Sequence, residues 1–497
     1  MVAERPSEWD RTTDIVVVGS GTGMAAALAA ADAGADVLIL EKAPYLGGTT
    51  AVSGGGSWAP NSHPVVESTG ETPRKDLLTY LKRVTGEKTP REKLERYVDE
   101  IPRVFEFIEE STPLELVHAK GISDYHAEFE HGDADGRMVE PAPYDASRLG
   151  DKFDHVRDSP HNPLPITYGE IKETAGSALV FPMKADWDLL AERMEEDLVA
   201  GGTALIAGMY EALLAMGVEV EREAPGTALV VDDGEVVGIR AEIDGEDVAI
   251  GAEAVIIAAG GLEWDDEMVD QFLRGPITGP ASPPYNEGDG IKMGAAAGAK
   301  LGLMQEAFWF PTVGIPGEEW EDGSQIYRLP KDRVLPGAIL VNERGERFVS
   351  ETACYNDIGK SLHRFDPVAY EYENLPAYQV MDHSYRESYP IGTQILPEDD
   401  LPEWVTTAET LVELAVSLGI DADTLEATVE RFNEGARNQE DREFHSGETP
   451  YAHHVGDSYA DHPNLGPLDE PPFYAIELQP GAIGTKGGLV TDSDAAV

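Results

Sequence analysis

The sequence predicts an α/β fold in which a Rossmann-like domain carries an inserted α+β domain. Two observations carry this prediction. Near the amino end, a short apolar run, a glycine-rich turn and an alanine-rich segment follow one another as in a dinucleotide-binding unit. From about residue 309 the composition changes to prolines and aromatic residues, which is typical of a separate structural unit. A chain of 497 residues exceeds one compact core, so we expect two domains or one large domain with an insertion.

The first predicted element is a buried strand over Ile15–Val18. An alanine-rich helix from Met24 to Ala33 follows it, stopped by Gly34, and a second strand covers Val37–Leu40. Strand, helix and strand in this order form a βαβ unit for a dinucleotide. Farther along, we predict helices Trp187–Leu198 and Thr203–Met216 and a hairpin that turns at Asp233–Gly234.

The turn after the first strand has the glycines that a dinucleotide requires. Glycines let the backbone approach a pyrophosphate at a helix N-terminus, and an acid about 20 residues later binds the ribose. Glu41 fills the position of this acid. The third glycine, Gly23, comes one residue early, with Met24 where the usual spacing has glycine. Either the turn is one residue shorter, or the helix lies farther from the strand.

The stretch after the second strand selects FAD over NAD. It contains Gly47-Gly48-Thr49-Thr50 and Ser53-Gly54-Gly55-Gly56, which resemble the pyrophosphate and isoalloxazine loop of the fumarate reductase and succinate dehydrogenase flavoprotein superfamily. A flexible glycine-rich connector is the alternative. Segments Ala254–Gly261 and Asn286–Gly290 resemble further FAD-contacting parts of that superfamily. The predicted FAD-binding residues are Gly19, Ser20, Gly21, Gly23, Glu41, Lys42, Gly48, Thr49, Thr50, Ser53, Gly54, Gly55, Ala228, Ala259, Gly260 and Asp289.

The run Val341–Asp357 indicates the chemistry. In the superfamily an Asn-x-x-Gly-x-Arg-Phe stretch leads to Glu-x-x-x-Arg, whose arginine donates a proton to fumarate; here Glu351 leads to Tyr355. A Glu-x-x-x-Tyr ending resembles the 3-ketosteroid dehydrogenase branch, in which the tyrosine removes a proton beside a ring ketone. Arginine is a permanent cation, whereas a phenol is neutral and accepts a proton once its pKa is lowered. The resemblance implies that Tyr355 is the catalytic base.

A second tyrosine comes from the loop after Asp124. Asp124-Tyr125-His126, with Gly136 and Glu140 beyond it, resembles the ketosteroid dehydrogenase loop that supplies a second phenol, so Tyr125 is predicted to assist proton transfer. The alternative is an acidic, solvated surface loop. No metal site is predicted, because His126 and His131 have no partners at metal-ligand spacing.

Composition describes the environment of the protein. With 37 Lys and Arg against 93 Asp and Glu, the formal net charge is −56, which excludes binding to nucleic acid or anionic membranes. We expect a halophilic protein in a salty cytoplasm, whose stability falls at low ionic strength. No run is long and apolar enough for membrane insertion. The single cysteine, Cys354, is predicted to be a packing residue.

The expected domains are an FAD-binding domain over 1–308, a catalytic or capping domain over 309–467, and a return to the FAD-binding domain over 468–497. Phe308, Trp309, Phe310 and Tyr370 are candidates for an apolar substrate pocket. Helices Ala408–Leu418 and Asp423–Ala436 are expected to pack away from the flavin. The segment Gly484–Asp492 resembles the start of the superfamily's closing part, so we expect a truncated chain that lacks the last FAD strand and an oxyanion-binding loop.

The sequence thus predicts an FAD-dependent oxidoreductase that desaturates a small hydrophobic cyclic ketone and passes electrons to an external acceptor. A fumarate reductase-like enzyme acting on an unsaturated carboxylate is one alternative, which a tyrosine at position 355 disfavours. An inactive, truncated flavoprotein is the other. The choice between Δ1 and Δ4 desaturation, the electron acceptor and the oligomeric state stay open.

Overall fold

The computed structural model describes residues 1–177 and 181–497. Its strands are β1 Val2–Glu4, β2 Arg11–Thr12, β3 Ile15–Val18, β4 Val37–Leu40, β5 Ser57–Trp58, β6 Leu116–His118, β7 Met138–Pro141, β8 Tyr144–Asp145, β9 Leu198–Val199, β10 Glu219–Glu221, β11 Gly226–Asp232, β12 Glu235–Ile243, β13 Glu246–Gly251, β14 Ala254–Ile257, β15 Gly279–Pro280, β16 Leu301–Gly302, β17 Ala307–Glu319, β18 Gln325–Arg328, β19 Ala338–Asn342, β20 Phe365–Asp366, β21 Glu371–Tyr372, β22 Ala377–Met381, β23 Thr406–Ala408, β24 Phe473–Thr485 and β25 Gly488–Leu489.

Helices connect and cover these strands. They are α1 Gly23–Asp32, α2 Gly48–Val52, α3 His63–Thr69, α4 Arg74–Val84, α5 Arg91–Ser111, α6 Tyr168–Ala175, α7 Phe181–Lys184, α8 Trp187–Glu195, α9 Gly201–Ala215, α10 Asp266–Phe272, α11 Asp289–Ala296, α12 Tyr355–Leu362, α13 His383–Ser388, α14 Leu411–Leu418, α15 Ala422–Arg437 and α16 Pro450–Val455, with 3-10 helices at Ala146–His155 and Lys331–Val334. None of the helices in these described ranges is long and apolar enough to cross a membrane.

A parallel sheet in the order β10-β4-β3-β14 forms the centre of the amino-terminal part. Strands β3 and β4 are nearly continuous Val, Ile and Leu because helices or a second sheet cover both faces. Since the strands are parallel, their carboxyl ends meet at one edge. The glycine turns that follow β3 and β14 and the segment after β4 therefore lie together, as the sequence predicts for a dinucleotide site.

A second sheet, β1-β11-β12-β13-β2, packs beside it. The predicted hairpin is β11 and β12, which turn at Asp233 and Gly234 with φ of 50° and 88°. Such positive φ values suit a tight hairpin turn. The predicted helix Trp187–Leu198 is shorter in the structure: it ends at Glu195, because Asp197 has a φ of 55° and Leu198 starts β9 beside β8.

The carboxyl-terminal half is built on the sheet β18-β17-β24-β22-β19, to which β15 and β23 add along β24. Strand β24, Phe473–Thr485, lies inside this sheet between β17 and β22, although the sequence assigns residues 468–497 to the FAD-binding domain. The domain boundaries themselves stay a prediction. The predicted helix start at Ala408 is wrong: Thr406–Ala408 pairs with β24, and Thr410 caps α14 by accepting from the Glu413 amide at 3.1 Å.

Candidate active site

Three backbone turns are packed tightly at the carboxyl edge of the parallel sheet. Gly19 has a φ of 100°, and a Cβ there would lie 2.2 Å from the Ala258 carbonyl oxygen. A Cβ on Gly21 would lie 3.2 Å from the Thr50 hydroxyl, and one on Gly260 would lie 2.2 Å from Asn286 Oδ1. Residues with side chains would therefore separate these turns, and glycine keeps the backbone close enough to form one binding edge.

The early third glycine, Gly23, reflects a turn that is one residue shorter, and not a helix that lies farther from the strand. Helix α1 begins at Gly23, where a Cβ would lie 2.8 Å from Val17 Cγ1 and 3.2 Å from Ala258 Cβ. Gly23 is thus the residue that lets the helix pack closely on the strands. Met24 is completely buried in the core beneath the helix.

Glu41 lies at the end of β4 and is 8% exposed. Its carboxylate accepts hydrogen bonds from the Ser20 amide at 3.0 Å, from the Ser20 hydroxyl and from the Ala43 amide at 2.8 Å. The Ser20 hydroxyl also accepts from the Gly47 amide at 2.8 Å. Two carboxylate oxygens offer about four acceptor positions. Three are filled here, so one is left, and its use by a ribose hydroxyl stays a prediction.

Two predicted FAD-binding residues, Lys42 and Asp289, contact each other. The Lys42 ammonium donates to Asp289 Oδ2 at 2.8 Å and also contacts Glu287. Burial by itself lowers the pKa of Lys42, but hydrogen bonds to these two carboxylates raise it above its ordinary value. This ion pair joins the end of β4 to the first turn of α11. Direct contact of either side chain with FAD stays a prediction.

The loop around α2 links the sheet edge to the second half of the protein. Gly48 has a φ of 46° and open space where a Cβ would stand, so its backbone is accessible to a ligand. Thr49 Oγ1 accepts from Asn286 Nδ2 at 2.9 Å. Ser53 Oγ closes the following turn by accepting from the Gly55 amide at 3.1 Å. These hydrogen bonds fix the predicted FAD loop in one conformation.

Gly54 places this loop directly beneath an aromatic ring. A Cβ on Gly54 would lie 2.0 Å from Cε2 of Tyr168, so only glycine allows this approach. The other two predicted residues are less informative. Ala228 is buried in β11 opposite Arg240, and Ala259 follows β14 and approaches α11 near Gly290. Their contact with FAD stays a prediction.

The two predicted catalytic tyrosines meet. Tyr355 is the first residue of α12, and its hydroxyl lies 2.8 Å from the hydroxyl of Tyr125. The rings are 5.4 Å apart at 83°. Phe310 of β17 stacks on Tyr355 at 4.7 Å and 22°. The structure therefore joins a loop, a helix and a strand from distant parts of the chain around one pair of phenols.

Two tyrosines that the sequence does not predict complete this cluster. Tyr451 of α16 packs against Tyr125 with ring centroids 5.7 Å apart. Tyr168, above Gly54, donates to Asn162 Oδ1 at 3.2 Å and accepts from Lys331 Nζ at 3.3 Å. We call Tyr125, Tyr168, Tyr355 and Tyr451 the tyrosine cluster. No sequence spacing announces Tyr168 or Tyr451, because tertiary packing alone brings them here.

Burial opposes ionisation of three of these tyrosines, Tyr355, Tyr125 and Tyr451. Desolvation raises the pKa of Tyr355, while the hydrogen bond from Tyr125 lowers it. For Tyr125 both desolvation and the contact with Tyr355 raise the pKa, although half of its side chain is exposed, because its hydroxyl points into the cluster. The hydrogen bond thus favours Tyr355 as the phenol that ionises and Tyr125 as the donor to it.

Glu351, the acid of the Glu-x-x-x-Tyr motif, has a structural role. It is bound by Arg347, whose Nε donates at 2.9 Å and whose Nη2 donates at 2.7 Å. Arg347 also holds Asp441 through Nη1 and Nη2 at 3.0 and 2.8 Å. Glu351 accepts in addition from the Leu340 amide at 3.1 Å. This buried triad fixes the segment that leads into α12.

The predicted pocket aromatics divide into different environments. Phe310 contacts Tyr355 as described, whereas Trp309 is fully buried in the core behind it. Phe308 is 44% exposed and lies under the Lys486 ammonium at 4.7 Å. The prediction for Tyr370 is wrong: it is 81% exposed on the β20–β21 hairpin, so it lines no pocket.

Cys354 and the histidines show no sign of metal chemistry. Cys354 is buried beside Tyr355, and burial raises the pKa of its thiol to about 12. His126 contacts the carboxylates of Glu128 and Asp357 at 3.2 and 3.4 Å. Within residues 1–177 and 181–497, no three His, Cys, Asp or Glu side chains are arranged to hold a metal ion.

Comparison with known proteins decides the family. The family described as "FAD binding domain" matches residues 14–497. This chain belongs to that family of FAD-binding flavoproteins. It is 38% identical to a 4-oxocyclohexanecarboxylate 2-dehydrogenase of Sinomonas cyclohexanicum, over 98% of this chain and 84% of the relative. It is 36% identical to a 3-oxosteroid 1-dehydrogenase of Mycolicibacterium smegmatis (strain ATCC 700084 / mc(2)155), over 96% and 88%.

A solved structure gives the same result. The 3-ketosteroid delta1-dehydrogenase of Sterolibacterium denitrificans, in complex with 1,4-androstadiene-3,17-dione, superposes with a TM-score of 0.89 at 32% identity, covering 98% of this chain and 90% of that chain. An NADH:fumarate oxidoreductase of Klebsiella pneumoniae (strain 342) is less similar, at 26% identity. The flavoprotein is thus an FAD-dependent dehydrogenase of the 3-oxosteroid dehydrogenase branch. These comparisons do not support the predicted truncation.

The residues at the sheet edge fit FAD. The tight turns at Gly19 and Gly260, the free acceptor position on Glu41 and the accessible backbone of Gly48 provide the donor and acceptor groups that a flavin dinucleotide requires. The predicted cofactor and the predicted fold class are therefore confirmed by the family match and by the superposition.

Proposed function

We propose that this flavoprotein desaturates a cyclic ketone, and that Tyr355 removes the proton from the carbon beside the carbonyl. The observation that carries the proposal is the 2.8 Å hydrogen bond between Tyr355 and Tyr125, next to the predicted FAD loop. The dehydrogenases from Sinomonas and Mycolicibacterium, both of which are named for oxo substrates, support this substrate class.

In this mechanism the phenolate of Tyr355 accepts the α-proton, which leaves an enolate on the substrate. Tyr125 donates its hydroxyl hydrogen to Tyr355 and so stabilises the phenolate before the proton arrives. Phe310, stacked on Tyr355, fixes the ring orientation. The rings of the cluster exclude water and offer an apolar surface to a hydrophobic ketone.

The residues proposed to hold FAD are those at the sheet edge. Glycine turns at Gly19 and Gly260 would bring backbone amides to the pyrophosphate, and Glu41 would hold the ribose. Thr49 and Gly54 would place the loop of α2 between the cofactor and the tyrosine cluster. When bound, FAD supplies a two-electron acceptor for the hydride from the carbon next to the deprotonated one. We propose an external acceptor for its reoxidation.

A fumarate reductase-like reaction is less well supported. Fumarate is a dicarboxylate, which arginine binds through two parallel hydrogen bonds. The position that the superfamily motif gives to an arginine is Tyr355 here. The groups in contact with the Tyr355 side chain are the phenol of Tyr125 and the ring of Phe310.

The proposal is tested by reduction of bound flavin without oxygen. The wild-type protein, in a buffer rich in KCl, is mixed with a saturated 3-ketosteroid or with 4-oxocyclohexanecarboxylate, and the visible flavin band is followed. We expect the band to bleach. Tyr355→Phe should slow bleaching by about 10²–10⁴-fold, since it removes the base. Tyr370→Phe, on an exposed hairpin, is the matched control and should react as wild type.

Two results would overturn the proposal. Bleaching by succinate but by no ketone would favour the fumarate-type reaction. An unchanged bleaching rate in Tyr355→Phe, with normal flavin content, would remove Tyr355 from the mechanism even if a ketone is the substrate.

We also propose a cytoplasm rich in potassium ions as the cellular location. A net charge of −56 repels itself strongly unless cations screen it. The dependence of the melting temperature on KCl, given in the Discussion, tests this point.

A further inference from the structure

Arg333 is a buried cation that has no carboxylate partner within the described residues. It lies in the 3-10 helix Lys331–Val334 and is 3% exposed. Its Nη1 donates to the Pro330 carbonyl at 3.0 Å, while its Nε is buried without a hydrogen-bond partner. Burying a charge without a counter-ion is costly, so such a residue calls for an explanation.

The other buried arginines show how unusual this environment is. Arg137, Arg157 and Arg347 each hold a carboxylate, of Asp124, Glu321 and Glu351, respectively. Arg386 donates from both ends of its guanidinium to backbone carbonyls of Leu396 and Asp399. Arg386, like Arg333, pairs with no carboxylate in the described part of the chain, but it makes two hydrogen bonds to backbone carbonyls where Arg333 makes one.

The position of Arg333 connects it with the catalytic residues. Its guanidinium carbon lies 5.3 Å from the centre of the Phe310 ring. Phe310 stacks on Tyr355 with ring centroids 4.7 Å apart. Burial raises the pKa values of Tyr451 and of Cys354; the Arg333 charge lowers both, and the Asp357 carboxylate raises both. Tyr451 contacts Tyr125, and Cys354 directly precedes Tyr355, so the charge is felt on two sides of the phenol pair.

Burial lowers the pKa of Arg333 and the charges of Asp332 and Glu351 raise it, but both carboxylates form their hydrogen bonds with other residues. Asp332 Oδ2 accepts from Gln379 at 3.0 Å and from Tyr385 at 3.0 Å. These residues are buried beside the sheet β18-β17-β24-β22-β19, which we call the lid sheet. Glu351 is bound by Arg347, as described above. Asp357, on α12, faces His126 at 3.4 Å.

Two further cations face the cluster from other elements. Lys331 donates to the Tyr168 hydroxyl at 3.3 Å. Lys486 of the segment after β24 donates to Asn356 Oδ1 at 2.9 Å, and burial lowers the pKa of its ammonium. Neither forms an ion pair within 4.0 Å in the described residues. Three cationic side chains, Arg333, Lys331 and Lys486, thus lie around the cluster in a protein of net charge −56.

The proposed mechanism requires that a buried tyrosine ionises, and a nearby cation makes this possible. Tyr355 has to lose its own proton to act as a base, yet burial raises the pKa values of Tyr355, Tyr125 and Tyr451. A phenolate forms in such a place only if a nearby positive charge stabilises it.

We infer that Arg333 is a positioning residue that supplies the buried positive charge stabilising the phenolate form of Tyr355, and that holds Phe310 beneath that phenol. The inference rests on the proposed function. The phenol proton leaves to solvent before turnover, and the phenolate then takes the substrate α-proton through a new O–H bond. Arg333 keeps its own protons and contacts neither substrate nor cofactor.

The first test compares pH profiles of kcat/KM for ketone oxidation. Arg333→Met removes the charge at similar length, and Arg333→Lys keeps it. We expect kcat/KM of Arg333→Met to be about tenfold or more below wild type near neutral pH. The pH range over which kcat/KM rises should lie at higher pH than in wild type, so that the rate recovers at alkaline pH. Arg333→Lys should restore the wild-type limb. Arg442→Met, whose side chain is 75% exposed and paired with Glu440, is the control and should match wild type.

A second readout needs no turnover. The near-ultraviolet absorbance of tyrosinate is titrated in wild type, Arg333→Lys and Tyr355→Phe, and in Arg333→Met if it folds. We expect the tyrosine signal that Tyr355→Phe abolishes to titrate at higher pH once the arginine charge is removed, and near its wild-type position in Arg333→Lys. If wild type oxidises no ketone, the proposed function fails while this titration still tests the inference.

The inference is overturned by either of two results. A loss of rate that is uniform over pH, without a shift of the limb, would mean that Arg333 is only structural. A tyrosinate titration in Arg333→Met that matches wild type would show that the charge does not act on Tyr355. The same conclusion would follow if Arg333→Lys, which keeps the charge, showed the same shifted pH profile as Arg333→Met.

Discussion

Removal of the Tyr125 hydroxyl is the sharpest single test of the site. Tyr125→Phe keeps the ring, which packs on Tyr355 and Tyr451, and removes only the 2.8 Å hydrogen bond. A hydrogen bond to a charged group contributes about 1.5–3 kcal/mol. At about 1.4 kcal/mol per factor of ten, kcat/KM near neutral pH should fall roughly tenfold to 150-fold.

The direction of the pH effect follows from the same bond. Tyr125 lowers the pKa of Tyr355, so its loss raises that pKa further. A base works in its deprotonated form, and its rate limb rises through its pKa. The pH range over which kcat/KM of Tyr125→Phe rises should therefore lie about one to two pH units higher than in wild type. This shift has the same size as the expected loss of kcat/KM near neutral pH.

The assay is the initial rate of ketone oxidation with an artificial acceptor, measured across the neutral and alkaline range at constant KCl. Tyr459→Phe, at a side chain that is 62% exposed and not a member of the tyrosine cluster, serves as the matched control. A neutral-pH rate in Tyr125→Phe within a factor of about two of wild type would refute the reasoning, since it falls below the smallest hydrogen-bond contribution considered.

Four further predictions concern the fold and its cofactor. Arg347→Met leaves Glu351 and Asp441 buried without their counter-ion, so urea unfolding should show a loss of about 3–5 kcal/mol; a loss under about 1 kcal/mol would contradict this. Burial alone would raise the Asp441 pKa, but Arg347 lowers it to about 2, so this pair stabilises fully above the unfolded carboxyl pKa and the melting temperature should fall as the pH drops from about 4 to 2. Gly19→Ala should reduce bound flavin in the visible spectrum because its Cβ meets Ala258, whereas Gly34→Ala, at a similar φ of 89° with open space, should keep it. The melting temperature should rise with KCl, and a value indifferent to salt would remove the halophilic interpretation.

The cofactor half of the site could be predicted because its signals are contiguous in the chain. A strand, a glycine turn and a helix form from neighbouring residues, so Gly19, Gly23 and Glu41 could be assigned from their spacing alone. What spacing does not show is which side chains satisfy each other. Lys42 and Asp289 were both predicted to bind FAD, and the structure shows that they form an ion pair with each other.

The catalytic half was predictable only where a family motif covers it. Tyr355 and Tyr125 carry such motifs, and the structure brings them together. Tyr168, Tyr451 and Arg333 have no local pattern, because each comes from a separate element that only the packing of the lid sheet and its loops places beside Tyr355. The predicted helix start at Ala408 is wrong for a similar reason: alanine favours helix, but Ala408 pairs with Phe473 of β24.

The exchange of arginine for tyrosine at position 355 changes more than one side chain. An arginine brings its own permanent charge and needs acids to hold it, whereas a tyrosine base is neutral until it ionises and needs a cation. Here the motif acid Glu351 is kept for Arg347, so it does not oppose a phenolate. In our proposal the positive charge near the site comes from Arg333 instead, which lies behind Phe310 and forms no ion pair within the described residues. The same backbone segment can thus serve proton donation or proton abstraction, depending on where the buried cation stands relative to the reacting group.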